Sequence, residues 1–311
     1  MDQNIFADLH NHTTASDGDY TPVKMVKQAK INGIKVIGIT DHDTLNGLDE
    51  AIKAGEKFNI EVIPGVEVSI RFKRSYFTGT LHLLCYFSKK LALNKLFIKN
   101  FKKILSQGRG EKLIRLRIDQ INRFFGAQSY KSGQKLPLLK RDLKFNDIAA
   151  LSDNATRRHF AVALKKNFNI TDNNTINTII GNNSKAYVPS GIQLKKITSF
   201  LRSNKILTVL AHPAAGSFSG KGHYKEVLPP FEIVEKFLPE FIKSGLNGIE
   251  VYYPGHTDEY IKILKALALN YNLLITGGSD CHDEKERPFG VCGISRSQFK
   301  IFKRQLYKND L

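Results

Sequence analysis

Histidines and carboxylates recur in this chain where short apolar runs end, a placement that packing in a core gives no reason to repeat. Asp8-Leu9-His10-Asn11-His12 closes the first run. In an extended chain residues two apart face the same side, so His10 and His12 can reach one ion. Asp17-Gly18 follows shortly after. Later runs end in Thr40-Asp41-His42-Asp43, Gly65-Val66-Glu67, Ala211-His212-Pro213 and Ser279-Asp280-Cys281-His282. One such pair is a weak signal, because His-x-His arises by chance and an Asp beside a His is often a cap. Five clusters at five run ends are a different matter. Neutral imidazole and carboxylate together are the ligand set of Zn, Mn and Fe, and this many donors implies more than one ion.

The elements that must position these groups are legible as alternation. Strands are expected near Ile5–Leu9, Val36–Thr40, Glu61–Val68, Thr80–Phe87, Ile206–Ala211, Gly248–Tyr253 and Leu273–Thr276. Helical-period segments lie near Pro22–Asn32, Leu48–Phe58, Gln193–Asn204, Phe231–Ser244, Asp258–Asn270 and Ser295–Lys308. This is the rhythm of βα units around a parallel sheet, so the expected fold is α/β, a distorted seven-stranded (β/α) barrel. Barrel enzymes collect their chemistry at the rim where the strands end. Residues 88–192 break the rhythm with segments that read as helical: Leu91–Ser106, Gly110–Phe125, Asp142–Leu151, Thr156–Lys166 and Thr175–Ile180. The expected organisation is therefore a barrel from 1–87 and 193–311 carrying an inserted helical subdomain over 88–192.

Charge separates the same two regions. The 311 residues carry 47 Lys and Arg against 29 Asp and Glu, a formal +18. Residues 88–192 hold 21 of the basic and 6 of the acidic residues, +15, which leaves +3 for everything else. A field so concentrated favours a polyanionic partner, although a Lys-rich composition alone puts charge on indifferent surfaces. Three cysteines, Cys85, Cys281 and Cys292, are odd in number and unclustered, unlike a disulfide framework or a zinc ribbon, and point to a reducing cytoplasm. The first ten residues lack a basic stretch followed by an apolar run, and no segment approaches about 18 uninterrupted apolar residues, so neither secretion nor a membrane span is expected. No obligate protein partner is indicated.

DLHNHTTASDG, GITDHDTLNG, PGVEVS, LHLLCYF, AHP, GIEVYYPGH and GGSDCH occur in the order and approximate spacing of the motifs of the polymerase and histidinol phosphatase, or PHP, superfamily of metal-dependent phosphoesterases, which the chain closely resembles. The resemblance covers essentially all of 1–87 and 206–293. It implies a site of three divalent ions, Mn foremost with Zn or Fe as alternatives. One ion would take His10, His12, Glu67 and Asp280; a second would share Glu67 and add His82 and His212; a third would take Asp17, His42 and His282. His82 is the ligand that the strand reading supports least, since it falls near the start of a strand. Glu67 and Asp280 become candidate catalytic groups, with a hydroxide held between two ions attacking phosphorus. His256, in Tyr253-Pro254-Gly255-His256, is a candidate to protonate the leaving oxygen or bind phosphate, the alternative being a group that starts the next helix or supports a ligand. Asp41 and Asp43 are expected to orient ligands, Glu250 either braces a ligand or pairs with a cation, and Cys281 is expected to be a small buried residue. His223 is a candidate lid residue.

Asn154-Ala155-Thr156-Arg157-Arg158-His159-Phe160-Ala161, followed by Ala186-Tyr187-Val188-Pro189, is similar to the insert of one branch of that superfamily, the nucleoside 3′,5′-bisphosphate phosphatases and 5′-to-3′ exoribonucleases. The branch pattern is Thr-Arg-Pro-His, and Arg158 stands here in place of the proline. The resemblance makes Arg157 and His159 candidate substrate-binding residues. A guanidinium at a helix start is also physically suited to clamp a phosphate. Arg109, Arg115 and Arg117 are weaker candidates, equally explained by a solvated helix face. The expected function is removal of the 3′-phosphate from nucleoside 3′,5′-bisphosphates or release of mononucleotides from the 5′ end of short RNA, so the expected partner is a nucleotide or short RNA. The alternatives are a phosphatase for a small metabolite such as histidinol phosphate, and a nucleic-acid-binding protein on a PHP scaffold without catalysis.

Overall fold

The computed structural model describes residues 5–127, 129, 138–181, 183–217 and 228–308. Among them seven strands lie in one sheet in chain order: β1 Ala7–Asp8, β2 Val36–Ile39, β3 Glu61–Arg74, β4 Phe77–Tyr86, β5 Leu207–Leu210, β6 Gly248–Tyr252 and β7 Leu274–Gly277. The first strand returns to the last. Leu9 N–H donates to the Gly277 carbonyl at 3.2 Å and Asn11 bridges Cys281 in parallel, so the sheet is nearly closed into a barrel. Closure requires a residue without a side chain at Gly278, where a Cβ would stand 2.4 Å from the His10 nitrogen. All seven expected strands are present and the α/β barrel reading holds.

One part of that reading needs correction. The run of βα units predicts parallel pairing throughout, whereas β4 is antiparallel to both β3 and β5. The strand expected to stop at Val68 continues to Arg74. Ile70 and Phe72 are buried while Arg71 and Lys73 are exposed, the period-two pattern of a hairpin with one covered face. Charged residues on the open face hid the second half of the strand.

The twelve helices are α1 Pro22–Ile31, α2 Leu48–Phe58, α3 Lys89–Ala92, α4 Lys95–Leu105, α5 Glu111–Phe125, α6 Phe145–Ala149, α7 Arg157–Phe168, α8 Asn173–Ile180, α9 Leu194–Ser203, α10 Phe231–Lys243, α11 Asp258–Asn270 and α12 Arg296–Leu306, counted among the described residues. Local chemistry fixes their starts: Thr21 caps α1 by accepting from Lys24 N–H at 3.2 Å with Pro22 at the first turn, and Ser295 and Gln298 cap α12 reciprocally. Two apolar clusters result. The larger joins the strands to α1, α2, α9, α10 and α12, and takes in Phe97, Phe101 and Leu105 of α4. The smaller runs from Ile114 to Ala186 and holds α5 to α8 together around Phe125, Phe160 and Leu164.

Candidate metal centre

The residues expected to bind metal converge. His10 and His12 follow β1, His42 follows β2, Glu67 lies in β3, His82 in β4, and His212, Asp280 and His282 follow β5 and β7. Their donor atoms form three overlapping groups: His10, His12, Glu67 and Asp280; His12, Asp17, His42 and His282; and His42, Glu67 and His82. His212 stands beside the last, with Nε2 at 3.0 Å from Glu67 Oε1 and 3.3 Å from His82 Nδ1. His12 and His42 each belong to two groups, a sharing that the sequence did not indicate. His82 is present because β4 runs antiparallel and overshoots the rim: His82 lies in mid-strand, one residue before Leu83, which pairs with the last residue of β5, so the middle of β4 stands where the parallel strands finish.

Several contacts within the cluster are of the kind that cations among them would satisfy. His10 Nε2 and His12 Nε2 face each other at 3.2 Å. His42 Nδ1 lies 3.0 Å from Glu67 Oε2, yet both atoms are buried without a hydrogen-bond partner, as are His12 Nδ1 and Asp17 Oδ1. Buried lone pairs left opposed are costly, and divalent cations satisfy them, so this donor set fits the ions implied by the resemblance.

Contacts behind the donors fix their orientation. His10 Nδ1 donates to Glu250, at 3.1 Å from Oε1, and His282 Nδ1 donates to the Asp280 carbonyl at 2.8 Å, which leaves Nε2 of both rings as an inward Lewis base. Glu250 also accepts from the His212 N–H at 2.8 Å. That bond holds a residue whose φ is +32°, outside the range an L side chain ordinarily adopts; Asp43 and Asp280 carry φ of +49°. Glu250 is therefore a brace for two candidate ligands. Its signal was present in the sequence as a lone carboxylate within the apolar strand Gly-Ile-Glu-Val-Tyr. Asp41 accepts from Thr13 N–H and from the Thr13 and Ser16 hydroxyls at 2.6 to 2.8 Å, pinning the loop between His12 and Asp17 rather than orienting an imidazole. Asp43 takes the Ser69 N–H at 2.7 Å and pairs with Arg109.

Burial opposes every charge here, and the groups answer one another. Burial alone would raise the Glu67 carboxyl, but His82, His42 and His10 hold it well below the carboxylate range. Burial would lower His12, yet Asp280 and Glu67 lift it to about 9. Burial and the neighbouring His12 push His282 down to about 4. Such a field of acids draws positive charge to the centre.

The donors open into a cavity of about 370 Å³ whose walls pass from Glu67, His82 and His212 to Arg117, Arg157 and Phe160 of the helical region. Arg115 is solvated and pairs with Glu111, as a helix face predicts. Arg109 and Arg117 are not. Arg109 is buried against Asp43, Ser69 and the Ala155 carbonyl, and Arg117 donates twice to the Val188 carbonyl at 3.1 and 3.2 Å while burial, then Arg109, push its pKa down to about 9. Sequence reasoning undervalued Arg117 because helical periodicity cannot show which face a cavity will take. Arg157 lines that cavity too. His159 uses Nδ1 to accept from the Thr156 N–H at 3.0 Å, closing the first turn of α7.

His256 has the surroundings of the second of its two expected roles. Its Nδ1 donates to the Val251 carbonyl at 2.9 Å, its Nε2 accepts from the Ala214 N–H at 3.2 Å, and burial pushes it down to about 4, so it braces the loop that follows His212. Cys281 is buried with its thiol pushed up by desolvation, in keeping with a packing role. His223 lies outside the described residues.

Comparison with known proteins agrees with this geometry. A family model described as PHP domain matches residues 8–173. A 5′-3′ exoribonuclease of Haemophilus influenzae is 26% identical over 278 residues, 88% of this chain and 89% of the relative. A 3′,5′-nucleoside bisphosphate phosphatase of Chromobacterium violaceum is 25% identical over 280 residues, 88% and 86% of the two chains. A phosphoribosyl 1,2-cyclic phosphate 1,2-diphosphodiesterase of Eggerthella lenta is 28% identical over 290 residues, 89% and 94%. Among solved structures, a Bifidobacterium adolescentis protein put forward as a metal-dependent phosphoesterase superposes with a TM-score of 0.70 at 22% identity, over 97% of both chains, a likeness of fold.

Proposed function

The chain belongs to the PHP domain family and is a metal-dependent hydrolase of phosphate esters, and from that premise we propose that it removes the 3′-phosphate of nucleoside 3′,5′-bisphosphates or releases mononucleotides from the 5′ end of short RNA. The observation that carries the reading is the continuity of one cavity from the candidate metal ligands to the arginines of the insert. His10, His12, Asp17, His42, Glu67, His82, His212, Asp280 and His282 would hold three divalent ions, Mn foremost. Bound there, the ions would supply charge neutralisation at the phosphoryl oxygens and bring the pKa of a water close to neutrality.

The protein's own groups do the rest. Glu67 reaches two of the donor groups, and Glu250 keeps the His10 proton on Nδ1 so that Nε2 faces inward. Arg157 and Arg117 face the cavity where a second phosphate of the substrate would stand, and their guanidiniums can neutralise it. We assign 88–192 to an inserted basic subdomain whose +15 guides a polyanion toward the rim. No helix among the described residues is long and apolar enough to cross a membrane, and Cys85, Cys281 and Cys292 are unpaired, in line with the reducing cytoplasm proposed as its compartment.

Turnover of Mn-loaded protein on 3′,5′-bisphosphoadenosine, a 5′-phosphorylated RNA oligomer and histidinol phosphate tests the proposal. A kcat/KM on one of the first two exceeding that on histidinol phosphate by about a hundredfold is expected. Activity confined to histidinol phosphate overturns it.

A further inference from the structure

We propose that Arg158 is a positioning residue: it clasps the helical insert onto the two rim loops that carry Asp17 and His282, and so couples where the insert stands to how Asp280 is held. Arg158 occupies the second position of α7. One guanidinium nitrogen, Nη1, donates to Asp283 Oδ2 at 2.9 Å, and the other, Nη2, donates to Asp19 Oδ1 at 3.1 Å. Asp283 divides its two oxygens. While Oδ2 takes Arg158, Oδ1 accepts the backbone N–H groups of Lys285 and Glu286 at 2.9 and 2.6 Å and shapes the turn that leads to Arg287. Arg287 in turn donates from Nη1 to Asp280 Oδ2 at 3.1 Å. A line of direct contacts thus runs from the insert through Arg158, Asp283 and Arg287 to a candidate metal ligand.

Two other ties hold the same loop of the insert, and they differ in kind. Asn154 donates to the His42 carbonyl at 2.9 Å, and Arg109 is buried between Asp43 and the Ala155 carbonyl. The Arg109 bonds are buried and the Asn154 bond is partly buried. Arg158 is at the rim, with 32% of its side chain exposed against 11% for Asp283 and 63% for Asp19. An ion pair of two exposed partners contributes little, but a fork engaging two carboxylates, one of them largely out of water, is held by geometry that a lysine's single ammonium cannot reproduce. Arg158 and the preceding Arg157 both line the cavity, so a shift of this turn moves guanidiniums at the site, and the exchange measurement, which needs no substrate, is what separates a clasp from a direct contact.

The test combines hydrogen exchange with kinetics. Arg158→Ala removes the clasp. Arg158→Pro removes it too and keeps the helix start, because the N–H at the second helical position needs no intrahelical partner. Both variants are expected to raise KM about five- to tenfold with kcat within about twofold. Amides of 154–160 and of 283–287 should exchange faster together while those of α12 stay unchanged. Arg158→Lys should fall between wild type and Ala. Asp19→Asn should have less effect in the Arg158→Ala background than in wild type. Exchange unchanged in both segments, or faster exchange throughout the barrel, overturns the clasp. The KM arm rests on the phosphoesterase reading but the exchange arm needs no substrate. Coupled exchange without nucleotide turnover therefore supports the clasp and counts against the substrate reading alone.

Discussion

Charged side chains crowd both the barrel rim and the helical insert, yet apart from the buried Arg109 and the half-buried Arg117 of the insert, water treats the two regions in opposite ways. At the rim His10, His12 and Glu67 are fully buried and even His82 exposes only 17% of its side chain. In the insert Arg115 exposes 55% and closes a one-turn pair with Glu111, while Arg141 pairs with Asp147 at the surface. A charge withdrawn from water must be matched by its neighbours, so the rim is built from groups that fix one another's place. A solvated charge needs no such match, and the insert's positive field comes from many residues of which few are individually required.

Breaking the rim should therefore have the largest effect. Glu67→Gln removes the carboxylate that two donor groups share, and turnover is expected to fall on the order of a thousandfold or more, read as kcat/KM on the best substrate. The insert's core tests whether the two regions stand apart: Leu164→Ala, in the smaller apolar cluster, should cost about 2–5 kcal/mol of stability by denaturant unfolding and leave the metal content of the folded protein unchanged. Glu250→Gln keeps the shape of the brace and weakens its hold on His10, and a 10- to 100-fold loss of metal affinity is expected by competition with a chelator, following the usual effect of groups that orient ligands. The smallest effect belongs to the insert's field. Raising salt from about 50 to 200 mM should increase KM for an RNA oligomer more than for a mononucleotide, and equal shifts would show that the +15 does not guide the substrate.

The same contrast explains what could be read before the fold was known. His10, His12, His42, His212, Asp280 and His282 follow strand ends, and strand ends follow from alternation of apolar and polar residues; Glu67 closes an apolar run although β3 continues past it. His82 depended on the direction of one strand, which periodicity does not carry. Arg117 and Arg158 lie on helices whose charged faces look alike in sequence; only packing decides that both line the cavity and that Arg158 also pairs with Asp19 and Asp283. His256 was left between two roles for a related reason, since a histidine after a strand at the rim can face the mouth or the backbone, and here backbone groups stand at both nitrogens. The β3 extension was hidden by charges on its open face.

The central claim, that the rim donors form one centre for several cations, is tested most directly by metal stoichiometry. Elemental analysis of protein prepared without a chelating tag and equilibrated with Mn should give about three ions per chain for wild type, with the ions of the two Glu67-containing groups lost from Glu67→Gln under the same dialysis. One ion or none per chain, or the same content in both proteins, would contradict it.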